Sequence, residues 1–219
     1  MIKFSSKLNF GIFVSLIFVL PMVGCAKKII VEIPPRINLQ SYQTIGIVEF
    51  SSNSTEQLNQ FATQKMMNYI QGAQNQVRFL EIGSQEQLLK KLGHENLDLE
   101  AIKAIGQKYH VSSVFTGSYD ISEMKPKVSL SEDFSSITAS ANVHITMASK
   151  HWDTQTGATI WTHSRYGEWP VGKVSMNKKN PLSISMSDPE GKYGHFLSKL
   201  VYRVTDDFRP HYEKRKASK

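Results

Sequence analysis

The segment Ile137-Thr138-Ala139-Ser140-Ala141-Asn142-Val143-His144-Ile145-Thr146-Met147 alternates without a break between apolar or small residues at odd positions and polar residues at even ones. Neighbouring side chains in a strand point to opposite faces, so this pattern reads as an antiparallel strand with one buried face. Asp153-Thr154-Gln155-Thr156-Gly157 then supplies a turn, with Gly157 at the left-handed position, and Ala158–Tyr166 returns as the partner strand. Residues 167–187 read as irregular and polar. Asp188-Pro189 opens a helix whose Tyr193, Phe196, Leu197, Leu200, Val201, Val204 and Phe208 form one wide apolar stripe, stopped by Pro210.

Upstream of the hairpin, Thr44-Ile45-Gly46-Ile47-Val48-Glu49-Phe50 is nearly continuous in apolar character, as expected of a central strand covered on both faces. Ser54 with Gln57 forms a capping-box pattern before Leu58, Phe61, Ala62, Met66, Tyr69 and Ile70 at helical spacing. Val77–Ile82 reads as a second strand. Ser84 with Gln87 repeats the cap before Leu88, Leu89 and Leu92, and Asp98 caps a helix carrying Ile102, Ile105 and Tyr109. Ser112–Ile121 is the third strand. The order predicts one α/β domain: a mixed β-sheet packed by helices, with a long antiparallel hairpin and a C-terminal amphipathic helix.

The N-terminus carries a different kind of signal. Lys3 and Lys7 precede an apolar run from Phe10 to Leu20, followed by Pro21-Met22-Val23-Gly24-Cys25, the layout of a secretory signal. As an uncleaved helix, Phe10–Leu20 spans about 16 Å at 1.5 Å per residue, half of a bilayer core. Residues 1–24 are therefore expected to be a signal peptide, 25–43 an extended tether containing Pro34-Pro35, 44–212 the α/β domain and 213–219 a basic tail. Cys25 is the single cysteine, which leaves no pair for a disulfide. The net charge of +7 includes two lysines of the signal. Behind such a signal, a mildly basic chain suits anionic envelope polymers or lipid head groups better than nucleic acid, and it equally suits a solubilising charge with no partner.

Met22-Val23-Gly24-Cys25 resembles the lipobox of bacterial lipoproteins. The resemblance implies that Cys25 is the lipid attachment point, and Ala26 after it, where an Asp would signal inner-membrane retention, implies the periplasmic side of the outer membrane. The Ile45–Phe50 strand, the Val114-Phe115-Thr116-Gly117-Ser118 strand and the hairpin Trp152-Asp153-Thr154-Gln155-Thr156-Gly157-Ala158-Thr159-Ile160 resemble the periplasmic lipoproteins grouped around the curli secretion lipoprotein CsgG. That group includes the penicillin-binding-protein activator LpoB and the polysaccharide-export lipoprotein PelC. The resemblance implies a non-catalytic scaffold or assembly component of an envelope export or surface-assembly system, in contact with other envelope proteins and forming homo-oligomers. An activator of a cell-wall or polysaccharide synthase is the alternative, although residues 26–43 are short for an arm that crosses peptidoglycan. A curli-type pore is the remaining reading. It needs two membrane hairpins, and Lys125-Pro126-Lys127, Glu132 and Asp133 fall in the expected mate of the alternating strand, while Arg165, Glu168, Lys173, Lys178 and Lys179 interrupt the second.

No Gly-rich phosphate loop, nucleophile elbow or His-Glu-x-x-His helix occurs in the sequence, so neither an enzyme nor a cofactor is expected. His144, His151 and His163 lie close together on the hairpin, yet polar-face histidines of a sheet are commonplace and no metal is assigned. Asp206 and Asp207 diverge by about 100° on a helix and read as a solvated helix end. The candidate partner surface is Trp161, His163 and Arg165 on one face of the return strand with Tyr166 and Trp169 beyond, since Trp, Tyr and Arg are enriched at interface hot spots. A one-residue register slip makes Trp161 a core residue instead. The basic tail, Arg209, His211, Lys214, Arg215, Lys216 and Lys219, is a second candidate, for an anionic glycan or head groups.

Overall fold

A computed structural model describes residues 28–42, 44–122, 125–130, 136–177, 180–186 and 189–216. It divides into two compact units: the body, Pro34–Pro210, and a small unit containing the two terminal strands.

The body is built on an eight-stranded mixed sheet. Strand β2 (Ile45–Val48), buried at every position, pairs in parallel with β4 (Phe79–Gly83) on one side and β5 (Ser113–Ile121) on the other; short β3 (Ser51–Ser52) continues along β5. Parallel strands require crossovers, and helices supply them here. Helix α1 (Glu56–Ala73) links β3 to β4, and α2 (Gln85–Leu92) with α3 (Leu99–Tyr109) links β4 to β5. From β5 onward the sheet is antiparallel: β7 (Ser136–Asp153) lies beside β5, β8 (Thr159–Asn177) beside β7, and β9 (Asn180–Met186) beside β8. Helix α4 (Pro189–Val204) and a 3-10 turn, Asp206–Phe208, close the body.

Two apolar layers hold the sheet. On one side Leu58, Met66 and Ile70 of α1 and Leu197, Leu200 and Val204 of α4 pack on Phe115, Val143, Ile145 and Met147. On the other side Leu88 of α2 and Ile102 and Ile105 of α3 pack on Val48, Ile82 and Val114. Each of these fully buried side chains stabilises the body by about 1.5–3 kcal/mol relative to an exposed position. The second layer touches β7 at Trp152, and further along Asn142, His144 and Thr146 of β7 and Thr162, Ser164 and Glu168 of β8 are exposed. The odd-in, even-out reading of Val143, His144, Ile145, Thr146 and Met147 thus holds; the earlier part of that run, Ile137–Ala141, is placed as backbone and register alone.

Caps follow the sequence at two helices. The Ser84 hydroxyl accepts from the Gln87 N–H at 3.5 Å, and Asp98 accepts from the Ala101 N–H at 2.9 Å. Ser54, however, is not a cap. Helix α1 starts one residue later, with extended Thr55 as N-cap and no side-chain hydrogen bond there, and the Ser54 N–H that the box would have paired with Gln57 donates to the Ser52 hydroxyl. The Asp188 cap of α4 lies outside the described residues. Gly157 has φ +76°, as the turn reading requires.

The largest departure concerns residues 167–187. The return strand does not end at Tyr166: β8 runs to Asn177 and β9 follows. Likewise β6 (Lys125–Leu130) pairs antiparallel with β7, from Lys125 opposite Asn142 to Leu130 opposite Ile137. Antiparallel pairing thus occurs at both places where the charges were read against membrane strands; Glu132, Asp133, Lys178 and Lys179 lie outside the described residues. Together β6, β7, β8 and β9 make a four-stranded ribbon that continues the sheet past the end of β5. Its cross-strand rows alternate in character: Val128, Ala139, Val174 and Ile184 stand opposite one another, and the adjoining row reads Lys127, Ser140, Lys173 and Ser185. Lys127 and Lys173 thus fall in the row that carries Ser140 and Ser185.

The helix read through to Phe208 ends at Val204, and the 3-10 turn carries Phe208 into the core instead. Buried Gln74 locks the chain there. Its side chain accepts from the Leu39 N–H (2.8 Å) and donates to the carbonyls of Ile37 and Phe208 (2.9 Å each). The Ile37 N–H bonds to the Asp207 carbonyl at 3.0 Å, so the first and last residues of the body are tied together. Leu39, inside the stretch read as tether, is fully buried.

The small unit is a two-stranded antiparallel ribbon. Strand β1 (Lys28–Ile33), also inside the tether reading, pairs with β10 (His211–Lys216), which takes up most of the basic tail; Lys28 stands opposite Lys216, Ile30 opposite Lys214 and Glu32 opposite Tyr212.

Candidate partner surface

Cys25 lies outside the described residues. The five residues of the candidate surface are divided by the pleat of β8. Trp161, His163, Arg165 and Trp169 share the helix-covered face, and Tyr166 points the other way. Trp161 belongs to the core, 8% exposed, with its ring edge-on to Phe115 and Phe208. Its indole N–H donates to Asp207 at 3.0 Å. Trp169 is half-buried, stacked on Phe196 of α4 and lying across Gly167, where a Cβ would collide with its ring. The turn at Gly157 sets Trp152 opposite Thr159, and one extra residue, Ile160, then shifts the register so that Trp161 stands opposite His151 on the core face.

Asp207 is the hub of this region, and its reading as a solvated helix end is corrected. Besides the Trp161 indole, the same carboxylate oxygen lies 3.4 Å from His163 Nδ1, and its other oxygen lies 3.7 Å from Arg36. Burial and the Arg165 guanidinium hold the His163 pKa below the ordinary imidazole value, outweighing the pull of Asp207. Asp207 thus satisfies a buried donor and ties β8 to both ends of the body. Arg209 is likewise structural: its guanidinium donates to the Tyr202 carbonyl (2.6 Å) and to Asp206 (2.9 Å) and sits 3.4 Å above the Tyr202 ring.

The three hairpin histidines do not converge. His144 is exposed on the open face, whereas His151 is fully buried against Phe115 at a centroid distance of 4.1 Å. Among the described residues no three His, Cys, Asp or Glu side chains gather in a metal-binding group. Neither ring nitrogen of His151 has a partner, and burial lowers its pKa to about 4, so it is neutral near pH 7.

What remains exposed is the open sheet face. His144 stacks on Tyr166 at 5.6 Å, Tyr166 is 70% exposed, and Asn142 donates to Glu168 at 2.8 Å. Beside it, a cleft of about 370 Å³ is lined by Ser52, Asn53, Ser118, Asp120 and Thr146. This face presents one exposed aromatic ring, Tyr166, among polar side chains. Sequence reasoning found Tyr166 but not its partner His144, although their shared face follows from the even-position parity of β7 once the register is known.

The architecture is that of an α/β body with a sheet extended by paired hairpins. No family model matches the chain, and no curated protein does. Among solved structures, the fold is similar to a PelC dodecamer subunit from Paraburkholderia phytofirmans, at 12% identity and a TM-score of 0.41, covering 84% of this chain and 98% of that one. It is similar also to lipoprotein GNA1162 from Neisseria meningitidis (15%, TM-score 0.34, 74% and 97%) and to the LpoB C-terminal domain from Escherichia coli (13%, TM-score 0.34, 60% and 87%). PelC and LpoB are members of the group that the sequence resembles.

Proposed function

We propose that this chain is a non-catalytic lipoprotein, anchored through Cys25 to the periplasmic side of the outer membrane, that serves as a structural subunit of an envelope export or surface-assembly system. The observation that supports this reading most is the four-stranded ribbon. Its outer strands β6 and β9 each pair on one side alone among the described residues, and such edges are templates for further strands. A subunit that offers two edges of one ribbon suits repeated head-to-tail contacts, which form a ring where the rotation between subunits closes. Crosslinking in intact cells followed by mass measurement of the purified complex tests it. A homo-oligomer or a stable complex with other envelope proteins is expected; a monomer that co-purifies with nothing defeats the proposal.

A curli-type pore gains support from the same ribbon as a second reading. The stretch of β7 beyond β5, residues 136–144, reaches about 30 Å at 3.3–3.4 Å per residue, and membrane strands are about 9–11 residues long. The energetic penalty for lysine applies to lipid-facing rows, whereas Lys127 and Lys173 share a row with Ser140 and Ser185. Stepwise conductance of the purified oligomer in planar bilayers supports the pore; an intact oligomer without conductance leaves the scaffold reading.

A further inference from the structure

The geometry points to the β1–β10 ribbon as a membrane-surface clamp for anionic lipid head groups, an inference that rests on the reading of Cys25 as the anchor. Antiparallel pairing sorts the ribbon into two faces. One carries Lys28, Ile30, Glu32, Tyr212, Lys214 and Lys216. At the end nearest Cys25, Lys28 stands directly opposite Lys216, with Lys214 opposite Ile30 one step further in. Like charges directly opposite each other destabilise a strand pair, and an anion lying against this end relieves that repulsion. The apolar members of the same face are also uncovered: Ile30 is 69% exposed and Tyr212 65%. A lone two-stranded ribbon is marginal in water and gains from any surface that covers it.

Lysines beside an exposed aliphatic residue and a tyrosine form the composition that bilayer interfaces favour, with the aromatic ring at head-group level and the cations on lipid phosphates. Chain length fixes the location. Lys28 is three residues from Cys25, which puts it within about 10 Å of the acylated residue at 3.3–3.6 Å per residue. Glu32, the one acidic member of this face, stands furthest from the anchor, opposite Tyr212. The acyl chains hold the protein to the bilayer, and the ribbon sets how the chain lies on it.

The test uses the full mature chain with Cys25→Ser, co-sedimented with vesicles of phosphatidylcholine alone or with about one third phosphatidylglycerol. Binding to the anionic vesicles, its loss at high salt, and a roughly tenfold or greater weakening in the Lys28→Gln/Lys214→Gln/Lys216→Gln variant are expected. Equal binding to neutral vesicles, or no salt dependence, overturns the clamp. Because the salt and lipid arms use the unsubstituted ribbon, a misfolded triple variant does not remove the test. Fatty-acid labelling of the parent chain in cells separates the two ideas. A labelled parent whose mature chain ignores anionic vesicles defeats the clamp alone, and an unlabelled parent defeats the anchor reading on which it rests.

Discussion

Replacing His151 with Phe isolates what one buried imidazole costs this core. The ring is stacked on Phe115, has no hydrogen-bond partner at either nitrogen, and has its pKa lowered to about 4 by burial. Its unfolded counterpart takes up a proton below about pH 6.5, while the folded one does so only near pH 4, so stability falls as the pH drops through that window and levels off below it. The loss at the bottom of the window is roughly 3 kcal/mol. In His151→Phe, urea denaturation is expected to show that slope removed, with stability at pH 7 unchanged or raised by about 1 kcal/mol because a buried orphan donor is gone. A slope identical to that of the parent shows that another group titrates. Asp207→Ala is expected to do the opposite at pH 7, lowering stability by about 1–3 kcal/mol, since the Trp161 indole N–H is left buried without an acceptor. Thermal unfolding reads that change. Which face Trp161 occupies was undecidable from the sequence because the parity of the return strand inverts at one extra residue, Ile160, just after the turn, and the partnership with Asp207 spans two elements that no local pattern connects.

At the scale of elements, caps were legible where side chain and spacing coincide, as at Ser84 and Asp98, and misread at α1, where Ser52 captures the Ser54 N–H that the capping box assumed free. Helix α3 ends on His110, a non-glycine residue at φ +54°. His110→Gly removes the Cβ that strains this left-handed position and is expected to stabilise the protein by about 1 kcal/mol, read as a raised Tm. The strands β8 and β9 were hidden for a different reason. Register shifts by one residue where Asn142 pairs with Pro170 and Ala141 with Gly172, so Val171 is an extra residue that inverts the apolar–polar phase halfway along β8. A period-2 pattern searched at fixed phase ends there, although the strand does not. The central strands, the helices and the Gly157 turn carry their signals within a few residues, and that is why they could be read.

For the molecule as a whole, the question is whether the ribbon edges meet other strands. Prolines at Ser183 and Ile184 put one substitution on each side of β9, so one removes a donor from pairing with β8 and the other removes a donor from any outer partner. The double variant is expected to reduce the assembled mass in native mass spectrometry, while the Tm of the body, whose core lies among α1, α4 and the inner strands, changes by no more than a few degrees. Assembly that survives intact moves the interface away from the ribbon, with the Tyr166 face the next surface to probe.

The Gln74 clamp has a mechanical meaning. Any pull on a chain anchored upstream enters the body at Pro34, within a few residues of the point where the main chain leaves it, and passes into hydrogen bonds at Ile37 and Leu39 that join the two ends. A load on either chain end therefore meets the buried hydrogen bonds of Gln74 with Ile37, Leu39 and Phe208 before it reaches the central strands.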